Sequence, residues 1–265
     1  MTTPDPSGTA HEIGLVEVWG IPFSTFTRTI TSGLHELGVP FVQHAVPPHS
    51  SEVNSRSPFG LLPIFRHAPF PLGGVDDQDA QPFEMFETPA IRAYLDREFG
   101  ALSNESKHGT KSALSPLSPL SARQAAKVDR LVSLVCTQLF QTLEHGVVKP
   151  RLAMESNGAD EASIGVALEG NLDNLAALLV TFEKLTHHDL EAGKWIAGTE
   201  SPSWADLYAY PPLADLKATP EGSILAQKAP KLAAWTERMS ERSSIAKTWK
   251  GTLDSQRSDK GKGRS

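Results

Sequence analysis

A chain of 265 residues can hold one large domain or two modest ones and can bury an ordinary core without metal or disulfide staples. Its formal charge of −6 argues against a general nucleic-acid or membrane-surface role, because such partners select a basic face. The single cysteine, Cys136, excludes an internal disulfide and a Cys-x-x-Cys redox pair and is consistent with a reducing, cytoplasmic address.

In chain order, Met1 to Gly8 is polar with no apolar run of signal length, and no segment is expected to reach the ~20 apolar residues of a membrane span. Ile13 to Trp19 alternates as a strand does, and Gly20-Ile21-Pro22 breaks the run. Ser24 to Leu37 then carries helical spacing through Phe26, Ile30, Leu34 and Leu37, stopped by Gly38. Val39 to Val46 reads as a parallel strand after that crossover helix. A strand over Leu62–Arg66, a Gly- and Asp-rich turn over Pro71–Gln81, a short strand over Phe83–Phe86 and a helix over Pro89–Phe99 complete the order β-α-β, β-β-α. This is the order of a thioredoxin-like α/β domain, expected over 12–99.

Residues 100–122 are rich in Ser and Pro and read as a linker. Helical spacing returns over Ala122–His145 and Ala162–Leu185 without a convincing strand, so 123–250 is expected to be an all-helical, all-α second domain. The basic stretch 251–265 is expected to be a disordered tail.

Three segments carry a family resemblance. Ser57-Pro58-Phe59-Gly60-Leu61-Leu62-Pro63-Ile64-Phe65 and Phe86-Glu87-Thr88-Pro89-Ala90-Ile91 lie some twenty residues apart, and Ser201-Pro202-Ser203-Trp204-Ala205-Asp206 has the form of a helix cap, with Asp206 three residues after Ser203. In that order they resemble the glutathione S-transferases, most closely the serine-type cytosolic members of theta, phi and fungal or bacterial kind. The resemblance covers roughly Leu15 to Trp249. It implies a thioredoxin-like glutathione-binding domain, an all-helical C-terminal domain, glutathione as co-substrate and a homodimer. It also implies a cis bond before Pro63 and a free backbone edge at Leu62 that pairs with an extended peptide. Ser203 and Asp206 are assigned to folding; loss of Asp206 costs on the order of 1 kcal/mol from the cap alone.

A thiol with a pKa of about 8.5 is only roughly 3% thiolate at neutral pH, and the thiolate is the nucleophile. One hydrogen bond donated to the charged form, worth roughly 1.5 to 3 kcal/mol, shifts that pKa by one or two units. The family takes this donor from Tyr or Ser near the end of the first strand, or carries Cys there for thiol exchange. The first tyrosine here is Tyr94 and the only cysteine is Cys136, so a serine or threonine of the loop Gly20-Ile21-Pro22-Phe23-Ser24-Thr25 is expected to act. Ser24, four residues before Arg28, is the first choice and Thr25 the second; Ser24 is equally suited to capping the helix that follows.

The resemblance further implies that Glu87 accepts the γ-glutamyl ammonium of glutathione. Thr88 and the amides of the helix after it would hold the carboxylate. For the glycyl carboxylate the family usually offers a cation or amide after the Pro-Phe-Gly turn, where this chain has Leu61; His49, with Arg56 second, is the candidate in its place. A hydrophobic electrophile is expected between the two domains against Phe23, Phe26, Phe140 and Tyr208. No metal is expected, since His187-His188 lacks companions at ligand spacing. The function implied is conjugation of the glutathione thiolate to a hydrophobic electrophile, in the manner of a detoxification enzyme. A non-catalytic carrier of hydrophobic ligands and a glutathione-dependent lyase or isomerase are the alternatives.

Overall fold

The computed structural model describes residues 13–69, 81–100 and 117–262, which divide into two compact units at Leu117 and Ser118. The linker and the 71–81 turn expected from sequence fall largely outside the described residues.

The first unit is a four-stranded sheet of β1 (Leu15–Trp19), β2 (Val42–His44), β3 (Ile64–Ala68) and β4 (Phe83–Phe86), in the order β2-β1-β3-β4. β1 and β2 are parallel, joined by helix α1 (Thr25–Glu36), while β3 runs antiparallel to β1 and β4. Period-two alternation sorts the side chains between the two faces. Val16, Val18 and Phe65 are buried on one face, and Ile30 and Leu34 of α1 and Ile91 and Leu95 of α3 (Thr88–Glu98) are also fully buried. On the other face Trp19 and Ile64 pack with Val53 of the short helix α2 (Ser51–Asn54), and Val46, Leu62 and Phe86 close the cluster. Glu17 on this second face pairs with Arg66 at 2.5 Å and His44 at 2.9 Å, directly across the ladder from Arg66.

Two strands are shorter or shifted relative to expectation. β3 begins at Ile64 rather than Leu62, because Pro63 has no N–H to give a ladder and leads in through a cis peptide bond after Leu62. The run over Val39–Val46 contributes only Val42–His44 to the sheet.

The second unit is helical. A continuous helix runs from Ala122 to Ser156: α4 (Ala122–Leu134), two π-type stretches (Val135–Leu139 and Gln141–Val148) and α5 (Lys149–Ser156). Pro150 cannot donate to the carbonyl four residues back, and the widened turn accompanies that lost bond. After it come α6 (Glu161–Glu191), α7 (Trp204–Lys217), a 3₁₀ turn (Pro220–Gly222), α8 (Ser223–Lys228), α9 (Pro230–Ser240) and α10 (Ser243–Thr248). Contrary to expectation, α6 is long and apolar enough to cross a membrane by length and composition. Its buried residues Ile164, Leu168, Leu175, Leu179 and Phe182 nevertheless follow helical spacing, as in a bundle helix packed on α8 and α9.

The expectation of a structureless segment from residue 251 is corrected: α11 (Leu253–Lys262) is helical. Thr252, Leu253 and Ser255 are buried and Arg257 pairs with Glu155 at 2.7 Å, contacts that a reading of local charge cannot supply.

Candidate functional site

Strand register gathers the candidate residues of the first unit at one end of the sheet. Trp19 at the C-terminal end of β1 faces His44 at the end of β2 and Ile64 at the start of β3, and Ile64 faces Phe86 at the end of β4. The segments that leave this end are therefore the β1–α1 loop with Ser24, the loop after β2 with His49, the approach to β3 with Leu62 and Pro63, and the entry to α3 with Glu87 and Thr88.

The first loop is pinned at its root. The Gln43 side-chain amide donates to the Gly20 carbonyl at 2.8 Å, and the Gly20 amide donates to the His44 carbonyl at 2.9 Å. A Cβ on Gly20 would lie 2.2 Å from Thr27 Oγ1, so the loop passes where only glycine fits. Ser24 is the N-cap of α1: its Oγ accepts from the Thr27 amide at 3.3 Å, and the residue is half-buried. Thr25, inside the helix, is 6% exposed and thus less accessible than Ser24. Arg28 is buried and its guanidinium reaches back to the Phe23 carbonyl at 3.5 Å, bracing the loop from beneath. Phe23 and Phe26 are half-buried beside Ser24 in sequence.

At the β4–α3 junction, Glu87 has φ 73° and ψ 106°, a conformation that a residue with a side chain rarely adopts. Helix α3 begins at Thr88, so Pro89 is its second residue, one position later than the sequence suggests. The amides of Ala90 and Ile91 donate to the Glu87 carbonyl at 2.9 Å, and Pro89 has none, which leaves the Thr88 amide as the remaining donor of this terminus, on a residue that is itself buried. The Glu87 carboxylate has no ion-pair partner among the described residues.

The loop after β2 folds over Gly60. The His49 amide donates to the Gly60 carbonyl at 2.8 Å, and Asn54 Nδ2 donates to the His49 carbonyl at 3.0 Å. Gly60 has φ 66°, and a Cβ there would meet His49 Nδ1 at 2.4 Å and Asn54 Oδ1 at 2.6 Å. His49 is exposed, whereas Arg56 is committed, paired with Glu84 and lying 4.1 Å over the Trp19 ring. Leu61 is 55% exposed and presents only carbon at the lip of the site.

In the second unit, Phe140 lies between the two π-type stretches, edge-on to His145 at 5.3 Å with Lys149 Nζ 5.2 Å from its ring. Burial and the neighbouring Lys149 charge lower the proton affinity of His145. Tyr208 is 1% exposed and packs edge-on against Trp204, the position of a core residue. Cys136 is half-buried in the first π-type stretch. Among the described residues no group of three or more His, Cys, Asp or Glu is gathered as for a metal.

Asp206 is a hub that sequence showed only in part. Beyond the Ser203 amide and hydroxyl, both at 2.9 Å, its carboxylate accepts from the Ile196 amide at 3.2 Å and from Trp235 Nε1 at 3.0 Å. Burial pushes its carboxyl up while these four donors pull the other way.

The glutathione S-transferase C-terminal domain family matches residues 165–238. Glutathione S-transferase F6 of Arabidopsis thaliana is 26% identical over 238 residues, covering 88% of this chain and 98% of the relative. Its F7 counterpart is 24% identical with the same coverage. Glutathione transferase F7 from Populus trichocarpa superposes with a TM-score of 0.64 at 22% identity, over 89% of this chain and 99% of the other. A Pseudomonas fluorescens glutathione transferase family member, solved with two glutathione bound, gives 0.65 at 18% identity over 92% and 94%. A thioredoxin-like sheet, a helical unit whose residues 165–238 match the transferase C-terminal domain family, and relatives aligned over nearly their whole length together make this chain similar to the glutathione S-transferases in fold and in sequence.

Proposed function

We propose that the protein conjugates the thiolate of reduced glutathione to a hydrophobic electrophile, with Ser24 as the residue that activates the thiol. The observation that carries this reading is the role of Ser24 at the start of α1. Its oxygen accepts from the Thr27 amide, so the cap uses a lone pair and leaves the hydroxyl hydrogen for a sulfur placed beyond it. The positive end of the α1 dipole favours the same negative charge. One such donor lowers the thiol pKa by about one to two units.

The same reading assigns the rest of glutathione to this end of the sheet. The Leu62 backbone, outside the ladder, would pair with the cysteinyl residue. Glu87 would take the γ-glutamyl ammonium, and the Thr88 amide and hydroxyl its carboxylate. His49 is the remaining candidate for the glycyl carboxylate. The thiolate attacks an electrophilic carbon, and either a leaving group departs or the adduct takes a proton from water. Phe23 and Phe26, which flank Ser24 in sequence, are the residues proposed to contact the electrophile. The buried environment of Tyr208 supports a packing role instead. A cytosolic homodimer belongs to the same reading.

The test is an ultraviolet titration of thiolate absorbance for glutathione bound to the wild type and to Ser24→Ala. A depressed thiol pKa that rises by about one unit or more in the variant supports the mechanism. Binding with an unshifted thiol in both proteins would identify a carrier instead.

A further inference from the structure

The sheet order sets the direction in which a peptide lies across the site. Glu87 and Thr88 leave β4 at one edge, and His49 lies in the loop that follows β2 at the other; the chain then crosses the second face, where Arg56 pairs with Glu84 of β4, and enters β3 through Leu61 and Leu62. A γ-glutamyl thiol anchored at Glu87 and paired with Leu62 therefore directs its C-terminal end toward the β2 side. That side offers little to a carboxylate.

No lysine precedes Lys107 in the sequence. Arg56 is held by Glu84 and the Trp19 ring, while Arg66 and His44 both serve Glu17. Arg28 is buried under the first loop. His67 is buried between the Tyr94 hydroxyl and the Ile13 carbonyl on the opposite face of the sheet. Arg97 lies in the last turn of α3, away from its Thr88 end. Arg92 of α3 pairs with Asp96 on the same helix, and His35 at the end of α1 packs against Phe41. Among the described cations of the first unit this leaves His49, and it is exposed, where water screens an ion pair. Leu61, exposed beside Leu62, adds apolar surface where the chain enters β3.

The geometry points to a site that takes γ-glutamyl-cysteinyl thiols without requiring a charged C-terminal carboxylate, so that esters and amides of the third residue bind as well as glutathione itself. This rests on the transferase reading above, since it takes the same anchor residues as given. The specificity follows from Leu61 and from the commitment of Arg56, not from the thiol-activating loop.

The experiment is calorimetric titration of the full chain with glutathione and with its glycyl monoethyl ester, for wild type, Leu61→Lys and His49→Ala. The wild type is expected to hold the two thiols with dissociation constants within about fivefold of each other. Leu61→Lys is expected to shift the ratio by about tenfold toward the free acid. His49→Ala is expected to weaken glutathione by less than about fivefold. An ester that binds the wild type more than about fivefold weaker than glutathione overturns the proposal and leaves the transferase reading standing. Failure of both thiols to bind the wild type overturns the two together.

Discussion

The backbone amide of Thr27 donates to Ser24 Oγ over 3.3 Å, so the residue proposed to activate the thiol also begins helix α1. The two roles separate by substitution. Ser24→Ala removes both, with about 1 kcal/mol of stability lost from the cap. Ser24→Asp keeps a strong cap acceptor in a first turn that otherwise has no acid, but it sets a negative charge against the thiolate. The expected outcome is a melting temperature close to wild type for Ser24→Asp together with conjugating activity at or below that of Ser24→Ala. Wild-type activity in Ser24→Asp would leave Ser24 a cap alone.

Glu87 combines a positive φ with an exposed carboxylate that has no ion-pair partner among the described residues, a backbone cost of about 1–3 kcal/mol held at the entry to α3. Glycine adopts that conformation without the penalty from Cβ. Glu87→Gly is therefore expected to raise unfolding stability by about 1 kcal/mol while it weakens glutathione binding by about tenfold or more, through loss of the ammonium partner. Urea denaturation and calorimetry on the same preparation check the two halves. A variant that is destabilised and binds normally would place the value of Glu87 in folding.

How much was legible in the sequence depends on the range of each interaction. The strand, loop and helix up to Gly38 follow from spacing and from Gly20, Ile21 and Pro22, all local signals, and the Ser24 cap is one residue from where α1 begins. The start of β3 is not legible, because the Leu62–Pro63 step is apolar like the strand yet lacks the N–H that a ladder needs. The tail helix carries no local signal because its support is distant: Arg257 reaches Glu155, 102 residues earlier. The π-type stretches had no readable signal, since Phe140 and His145 fit ordinary helical composition. The Glu87 conformation was equally silent, being a property of backbone and not of residue type.

Asp206 shows the same division on one side chain. Its link to Ser203 is readable as a capping box, but Ile196 lies ten residues before and Trp235 is 29 after. Asp206→Asn turns two acceptor oxygens into one acceptor and one donor, so its NH₂ must face an N–H or hydroxyl already aimed at it in a fully buried position. The loss is expected to be about 3 kcal/mol, above the ~1 kcal/mol of a cap alone, because buried donors are left unsatisfied. Trp235→Phe, which removes one donor and keeps the ring, is expected to cost about 1 kcal/mol. Denaturant midpoints compared for the two variants measure the difference; equal, small losses would reduce Asp206 to its cap.

Glu17 makes the acid limb of stability predictable. Burial pushes its carboxyl up, but hydrogen bonds from His44 and Arg66 and the Arg66 charge outweigh this and hold it below the ordinary glutamate value. The folded protein therefore binds this proton less tightly than the unfolded chain does, where glutamate titrates near pH ~4.3. The stability that the group contributes is complete above that pH and is lost as pH falls through the lower folded value. Glu17→Gln removes the titration and preserves the shape. The variant is expected to be less stable than wild type at pH 7, with the gap closing as the pH drops below about 4. Urea midpoints measured from neutral pH into that acid range follow the gap directly. A gap that stays constant with pH would mean that Glu17 acts through packing and that its pairs with His44 and Arg66 contribute no charge-dependent stability.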